Sequence, residues 1–245
     1  MSALGTRDLL GVALRLTLVQ CTWNEAGLQS AGLSFAVAPA LARVHKEREA
    51  LGLAVLRLGA PFNTHPYLVG VLAGAVLRLE EDGAPDEEVA AFKRGTMGPL
   101  AAVGDPFFWG ALAPASTAVA VLVTLLFGPL AGVAALVLAF NIVHVFVRVA
   151  GVAVGYREGP MGLHRVAGWL GPSRTAALKV LTAVCVGAIL AVVSSEAGSD
   201  APKWAGLAMG ATGLLGGLVV TRGKPTLAMF APVVLAAALF IEVLA

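Results

Sequence analysis

The chain has 245 residues, of which 58% are hydrophobic and only 13% are charged, and its mean hydropathy is +0.85. A soluble domain of this length buries a complete core with much less apolar sequence, so the composition predicts an integral membrane protein. The formal net charge of +2 is too small to indicate a nucleic-acid partner. The two cysteines, Cys21 and Cys185, lie in apolar surroundings and form no disulfide or metal-binding motif.

The N-terminal part of the chain contains short apolar stretches. Each has about 10–15 residues, too few for a straight helix to cross a bilayer, and Arg15 interrupts the first. Polar residues and prolines separate them, so we expect re-entrant or broken helical hairpins, whose irregular backbone must be buried in protein or line a cavity. Amphipathic surface helices are the alternative. The stretches are residues 9–22, 28–42, 51–60 and 67–79.

Residues 80–94 are predicted to be a short cytoplasmic connector. Asp86 can cap a short helix with acidic residues in its first turn and with Lys93 and Arg94 at its end, an order that suits the helix dipole. The connector belongs to an N-terminal region that we expect to extend over residues 1–106.

Residues 107–245 are predicted to be a transmembrane helical region. Residues 107–147 are nearly uncharged and long enough for two spans, which Gly128–Pro129 separates. A basic segment, 148–179, follows them. Further spans are predicted near residues 176–194, 204–221 and 226–245, which makes about five transmembrane helices in an all-α membrane protein.

The placement of basic residues predicts an orientation. Basic loops stay in the cytoplasm, so residues 93–94, 148–179 and 222–225 are expected inside. The turns near residues 128 and 200 and the C-terminus are then expected outside, in a multi-pass protein.

Three polar clusters interrupt the apolar sequence. Amides, a carboxylate and aromatic faces are groups that a sugar site needs, because they satisfy hydroxyl groups and pack on the C–H face of a pyranose. A carboxylate in a membrane protein is costly and marks function by default. Each residue also has a structural interpretation, as a helix cap, an interfacial anchor or a partner for free backbone groups. The clusters contain Gln20, Trp23, Asn24 and Gln29, then Asn63, Thr64 and His65, then Asp105 and Trp109.

The proline after Asp105 suggests that the helix does not simply continue through this residue, which can cap the span beginning at residue 107. No nucleophile motif, phosphate loop, dinucleotide fingerprint or metal-ligand spacing is visible in the sequence. We therefore expect no cofactor, no metal and no catalytic residue, and an unrelated membrane enzyme has little support.

Four blocks in order resemble the IID membrane subunit of the mannose/fructose/sorbose class of the bacterial sugar phosphotransferase system (PTS). They cover about residues 7–160, and the third is most similar to the family pattern. The family glutamate two residues after Trp-Asn is replaced by Ala26, which puts its role in doubt. The blocks are "VQCTWNEAGLQSAGLSFAVAPAL", "FNTHPYLVGVLAGAVLRLEE", "KRGTMGPLAAVGDPFFWGALAP" and "FGPLAGVAALVLAFNIVHVFVRVAGVAVGYREG".

The resemblance implies an elevator-type transporter subunit in the bacterial inner membrane. Its partners would be a IIC membrane subunit, in a trimer of IIC–IID pairs, and cytoplasmic IIA and IIB phosphocarriers. The IID chain itself would carry no phosphorylated residue. A hexose would bind at the IIC–IID interface near the polar clusters, and His65 is left out because its position varies in the family block. A regulatory or scaffold subunit of an incomplete system and a stand-alone non-PTS transporter stay open as alternatives.

Overall fold

The computed structural model describes residues 3–196. Within them every regular element is a helix, and two isolated β-bridges are the only extended pairings. The predicted spans 204–221 and 226–245, the turns near 200 and 222–225 and the C-terminus lie outside the described residues. In chain order the α-helices are α1 (Thr6–Arg15), α2 (Ser30–Val44), α3 (Arg48–Gly59), α4 (Val69–Glu81), α5 (Asp86–Phe107), α6 (Ala113–Phe127), α7 (Pro129–Glu158), α8 (Gly162–Trp169) and α9 (Pro172–Glu196). Short 3₁₀ segments follow α1 (Leu16–Leu18) and α7 (Gly159–Met161).

The four N-terminal apolar stretches form the short helices α1 to α4, of 10 to 15 residues each. They end where the sequence contains polar or helix-breaking residues. Helix α3 ends at Gly59, two residues before Pro61, and α4 begins at Val69. Helix α2 packs on α1, α3 and α4, so these short helices bury their apolar faces mainly against one another.

Helix α5 differs from the prediction in two respects. It does not end near Arg94, and Asp105 does not cap a new span, because α5 runs unbroken from Asp86 to Phe107. A π-helical turn, Phe108–Leu112, follows Pro106 closely and leads directly into α6. Proline removes one helical hydrogen bond and crowds the preceding turn, yet α5 continues past Pro106, and the π-turn begins two residues later.

The chain forms two compact units that do not follow chain order. The first contains residues up to Asp105 together with Ile142–Gly171. The second contains Pro106–Asn141 and the described residues from Pro172 onward, and in it α6 packs on α9. The predicted helix break at Gly128–Pro129 is confirmed, since α6 ends at Phe127 and Gly128 has a φ of 89°.

Glycines bring α4 and α7 together inside the first unit. A Cβ atom on Gly74 would lie 2.2 Å from the backbone oxygen of Val152, and one on Gly155 would lie 2.1 Å from that of Val71. The two helices therefore touch backbone to backbone, as the small-residue spacing of both pairs (Gly70 with Gly74, Gly151 with Gly155) predicts. The same spacing recurs in the sequence at Gly206 and Gly210, which lie outside the described residues.

Two helical stretches of the described residues, Asp86–Phe127 and Pro129–Val193, are long and apolar enough to cross a membrane. They contain α6, α7 and α9, which correspond to the first three predicted spans. Many of their large apolar side chains are exposed, among them Phe127, Leu130 and Ile142. Exposed apolar surface of this extent indicates contact with lipid or with another protein.

Candidate functional site

The centre of the candidate site is the irregular segment 60–68 between α3 and α4. Its backbone pairs with the turn that precedes α2: the Phe62 N–H donates to the Gly27 carbonyl at 3.3 Å, and the Gln29 N–H donates to the Phe62 carbonyl at 2.8 Å. The Phe62 side chain is fully buried. Two prolines in the segment oppose helix formation, so these strand-like bonds satisfy backbone groups that a helix would have satisfied internally.

The Gln29 side chain extends this pairing by one more residue. Its Nε2 donates to the Thr64 carbonyl at 2.8 Å, and its Oε1 accepts from the Thr64 N–H at 3.1 Å. The Thr64 hydroxyl donates to the Met97 carbonyl of α5 at 2.8 Å. Gln29 and Thr64 are 1% and 4% exposed. These two predicted site residues therefore use their polar groups to hold the segment in place.

Asp105 is connected to the same segment through His65. The His65 Nδ1 lies 2.8 Å from Oδ1 of Asp105, which is hydrogen-bond distance. His65 is buried, whereas the Asp105 side chain is 58% exposed. Gly104 makes the contact possible, since a Cβ atom there would lie 2.4 Å from both Cβ and Cγ of His65. The resemblance had left His65 outside the site.

Asn24 shapes the turn before α2. Its Oδ1 accepts from the backbone N–H groups of Ala26 and Gly27 at 3.1 and 2.8 Å, and its Nδ2 donates to the Thr22 carbonyl at 3.1 Å. This is the local side-chain-to-backbone bonding that favours Asn in turns. The neighbouring Trp23 is 51% exposed.

Asn63 and Gln20 complete the predicted residues of the first unit, and both are exposed. The Asn63 backbone N–H points at the sulfur of Met97 at 3.3 Å. Hydrogen bonds in the first unit thus link the turn before α2, segment 60–68 and α5. These three parts of the chain carry the predicted residues Asn24, Gln29, Asn63, Thr64 and Asp105.

Trp109 belongs to the second compact unit. It lies in the π-helical turn, is 48% exposed and stacks on Phe140 at a centroid distance of 6.3 Å and an interplanar angle of 16°. An exposed indole ring on an irregular helical turn offers a flat face on which the apolar surface of a ligand can pack.

An aromatic and cationic group behind segment 60–68 was missed by sequence reasoning. Tyr67 stacks on His144 of α7 at 4.5 Å and lies edge-on to His65 at 5.2 Å. The Arg148 guanidinium lies 5.2 Å from the centre of the Tyr67 ring and donates to the Leu16 carbonyl. Arg148, an arginine in the apolar interior of α7, was the signal that could have indicated it.

Buried charges at the helix ends form a second group that the sequence did not predict. Lys93 is 1% exposed, and its ammonium group donates to the carbonyls of Leu58 and Ala60 at 2.7 Å, where it caps the C-terminus of α3. Glu80 is also buried and binds His45 at 2.8 Å and Arg57 at 2.5 Å. Lys93 therefore does not lie at an exposed helix end, as the connector prediction required.

A family model described as the PTS mannose/fructose/sorbose family IID component matches residues 3–197. The chain is 38% identical over 158 residues to the mannose-specific EIID component of Escherichia coli K12, 27% identical over 167 residues to the fructose permease IID component of Bacillus subtilis, and 31% identical over 157 residues to the sorbose-specific EIID component of Klebsiella pneumoniae. The alignments cover 62%, 66% and 62% of the chain and 56%, 60% and 57% of these relatives. The chain thus spans somewhat over half the length of the curated relatives it matches.

Two solved structures are similar over almost the whole chain. One, described as the structure of a membrane protein, has a TM-score of 0.68 at 26% identity and covers 97% of both chains. The other is a cryo-EM structure of the mannose transporter ManYZ in complex with microcin E492, with a TM-score of 0.61 at 27% identity. It covers 97% of this chain and 94% of that chain. Together with the long apolar helices, these similarities place the chain in a membrane.

Proposed function

The chain belongs to the mannose/fructose/sorbose family of IID components of the phosphotransferase system, and we propose that it binds a hexose and moves it across the membrane. In this proposal it works with a IIC membrane subunit, and a cytoplasmic IIB protein, supplied with phosphate by IIA, phosphorylates the sugar. The similarity to a chain of the ManYZ mannose transporter supports a membrane partner of this kind.

The proposal includes the finer architecture that the family resemblance implies. The IIC–IID pairs assemble as trimers and move by an elevator mechanism, with about five transmembrane helices in this chain and the C-terminus outside. Residues 1–106 carry the re-entrant hairpins and residues 107–245 the membrane-spanning helices. The short, broken helices α1 to α4 support this division, because broken helices at membrane depth are where transporters place their sites.

The observation that carries the proposal is the surface of segment 60–68. The Gln29 side chain binds the Thr64 backbone, and the Met97 carbonyl accepts from the Thr64 hydroxyl. The Asn63 side chain and the Asp105 carboxylate stay accessible. An amide and a carboxylate on a rigid backbone can bind sugar hydroxyls with little loss of conformational freedom.

We therefore assign the direct sugar contacts to Asn63 and Asp105, with Asn24 and Gln20 as further polar contacts. The exposed face of Trp23 is the proposed aromatic contact in the first unit, and Trp109, in the second unit, is proposed separately as an aromatic contact. Gln29 and Thr64 are proposed to hold the segment in place and not to bind the sugar directly, since their polar groups are already hydrogen-bonded within the protein.

The test is sugar uptake by cells that carry the whole operon with Asn63→Ala or Asp105→Ala. Losing a neutral hydrogen bond weakens sugar affinity by about threefold to tenfold, and losing a charged one by about tenfold to 100-fold. Asn141→Ala and Asp82→Ala are the matched controls, because both side chains are exposed and bond within their own helix region. Wild-type uptake by both site variants at wild-type protein levels would contradict the proposal.

A further inference from the structure

A groove with three arginines lies between α1 and α2, apart from segment 60–68. It encloses a cavity of about 370 Å³, which is within the range of small-ligand sites, about 300–1,000 Å³. Arg7, Gly11 and Arg15 recur at every fourth position of α1 and so share one face of the helix. Arg43 and Pro39 line the groove from α2.

The charges in the groove do not balance. Asp8 is the one acidic residue in its lining; its Oδ1 lies 2.9 Å from Nε of Arg43, and its Oδ2 accepts from the Gly5 N–H at 2.9 Å. Arg15 donates only to the Gly11 carbonyl of its own helix, at 3.0 Å. Within residues 3–196, Arg7 has no ion pair. Two guanidinium groups are therefore available in the groove for an anion.

The helix face next to these arginines is apolar and exposed. Leu10 and Leu14 are 46% and 68% exposed, and Leu18, one turn further on, is 48% exposed. They follow Arg7, Gly11 and Arg15 by three residues each, which places the leucine stripe beside the groove. A helix with exposed leucines next to arginines can lie in the membrane interface, with the leucines among the acyl chains and the arginines at the level of the phosphates.

We propose that the groove between α1 and α2 binds the phosphate of an anionic phospholipid headgroup. Arg7 and Arg15 supply planar donor groups that match phosphate oxygens, and Asp8 holds Arg43 at the groove wall. The leucine stripe favours a lipid over a free anion, because it offers an apolar surface to the acyl chains attached to the same phosphate. This site would anchor α1 at the membrane surface, and it does not depend on sugar transport.

The experiment measures lipid binding by native mass spectrometry of the full chain in a non-ionic detergent. The probes are phosphatidylglycerol, phosphatidylcholine with the same acyl chains, and inorganic phosphate. Arg7→Gln/Arg15→Gln should weaken phosphatidylglycerol binding roughly 30-fold, since each basic residue beside an anionic lipid contributes about fivefold. The control Arg48→Gln/Arg94→Gln removes the same charge from exposed positions outside the groove and should leave binding unchanged.

A second variant separates the lipid from free phosphate. Leu10→Ser/Leu14→Ser should weaken phosphatidylglycerol binding and leave the binding of inorganic phosphate unchanged. If the double arginine variant does not elute as one folded species, Arg7→Gln alone should still weaken phosphatidylglycerol binding about fivefold. Unchanged phosphatidylglycerol binding in the arginine variants, or an equal loss in the control, would overturn the site. Inorganic phosphate binding as tightly as phosphatidylglycerol would overturn the lipid as its occupant.

Discussion

Replacing Gln29 with leucine should loosen segment 60–68, because the Gln29 amide is the hydrogen-bond partner of both backbone groups of Thr64. Leucine fills much of the same volume but leaves the Thr64 N–H and carbonyl without a partner in a buried place. Each unsatisfied buried group costs about 1–3 kcal/mol. Because the segment can relax partly toward solvent, we expect a total loss of about 2–4 kcal/mol.

The assay is hydrogen exchange at the Thr64 amide, followed by mass spectrometry of the purified chain in detergent. If the free energy of local opening falls by about 2–4 kcal/mol, the Thr64 amide exchanges about 30-fold to 1,000-fold faster. The whole-chain melting temperature should fall as well, while α6 and α9 in the second unit keep their wild-type exchange.

The matched control is Gln20→Leu, which makes the same chemical change at an exposed glutamine of the same region. An exposed substitution of this kind changes stability by less than about 0.5 kcal/mol. If Gln29→Leu and Gln20→Leu show the same exchange at Thr64, the Gln29 amide does not hold the segment, and the reasoning for a rigid sugar-binding surface fails with it.

Two further predictions concern residues that support the same segment. Lys93→Met should destabilise the chain by about 2–4 kcal/mol in thermal or denaturant unfolding, because the Leu58 and Ala60 carbonyls at the end of α3 lose their donor. Arg94→Met, at an exposed neighbouring residue, should cost under about 1 kcal/mol. Equal losses in the two variants would refute the capping role. Gly104→Ala should push His65 away from Asp105 and lower sugar uptake. Gly98→Ala in the same helix has open space around it and should leave uptake unchanged; normal uptake by Gly104→Ala would show that the contact with His65 is dispensable.

The local features of the fold follow from the sequence. Apolar stretches with polar or proline-containing ends predict the positions of α2 to α4 to within a few residues, because helix formation and termination depend on neighbours along the chain. Helix α1 ends at Arg15, well before the end of its stretch at residue 22. The composition predicts the membrane location, and the pair Gly128 and Pro129 predicts the helix break between α6 and α7. Family membership rests on four ordered blocks.

Tertiary structure decided how the polar residues are used. Gln29 meets Thr64 across 35 positions of sequence, and His65 meets Asp105 across 40, so their partners depend on the path of the chain and not on local pattern. Helix α5 also continues through Pro106, where local propensity alone predicts an end. The burial of Lys93 has the same cause: the end of α3 lies beside α5 only in the folded chain, and its free carbonyls attract the nearest cation.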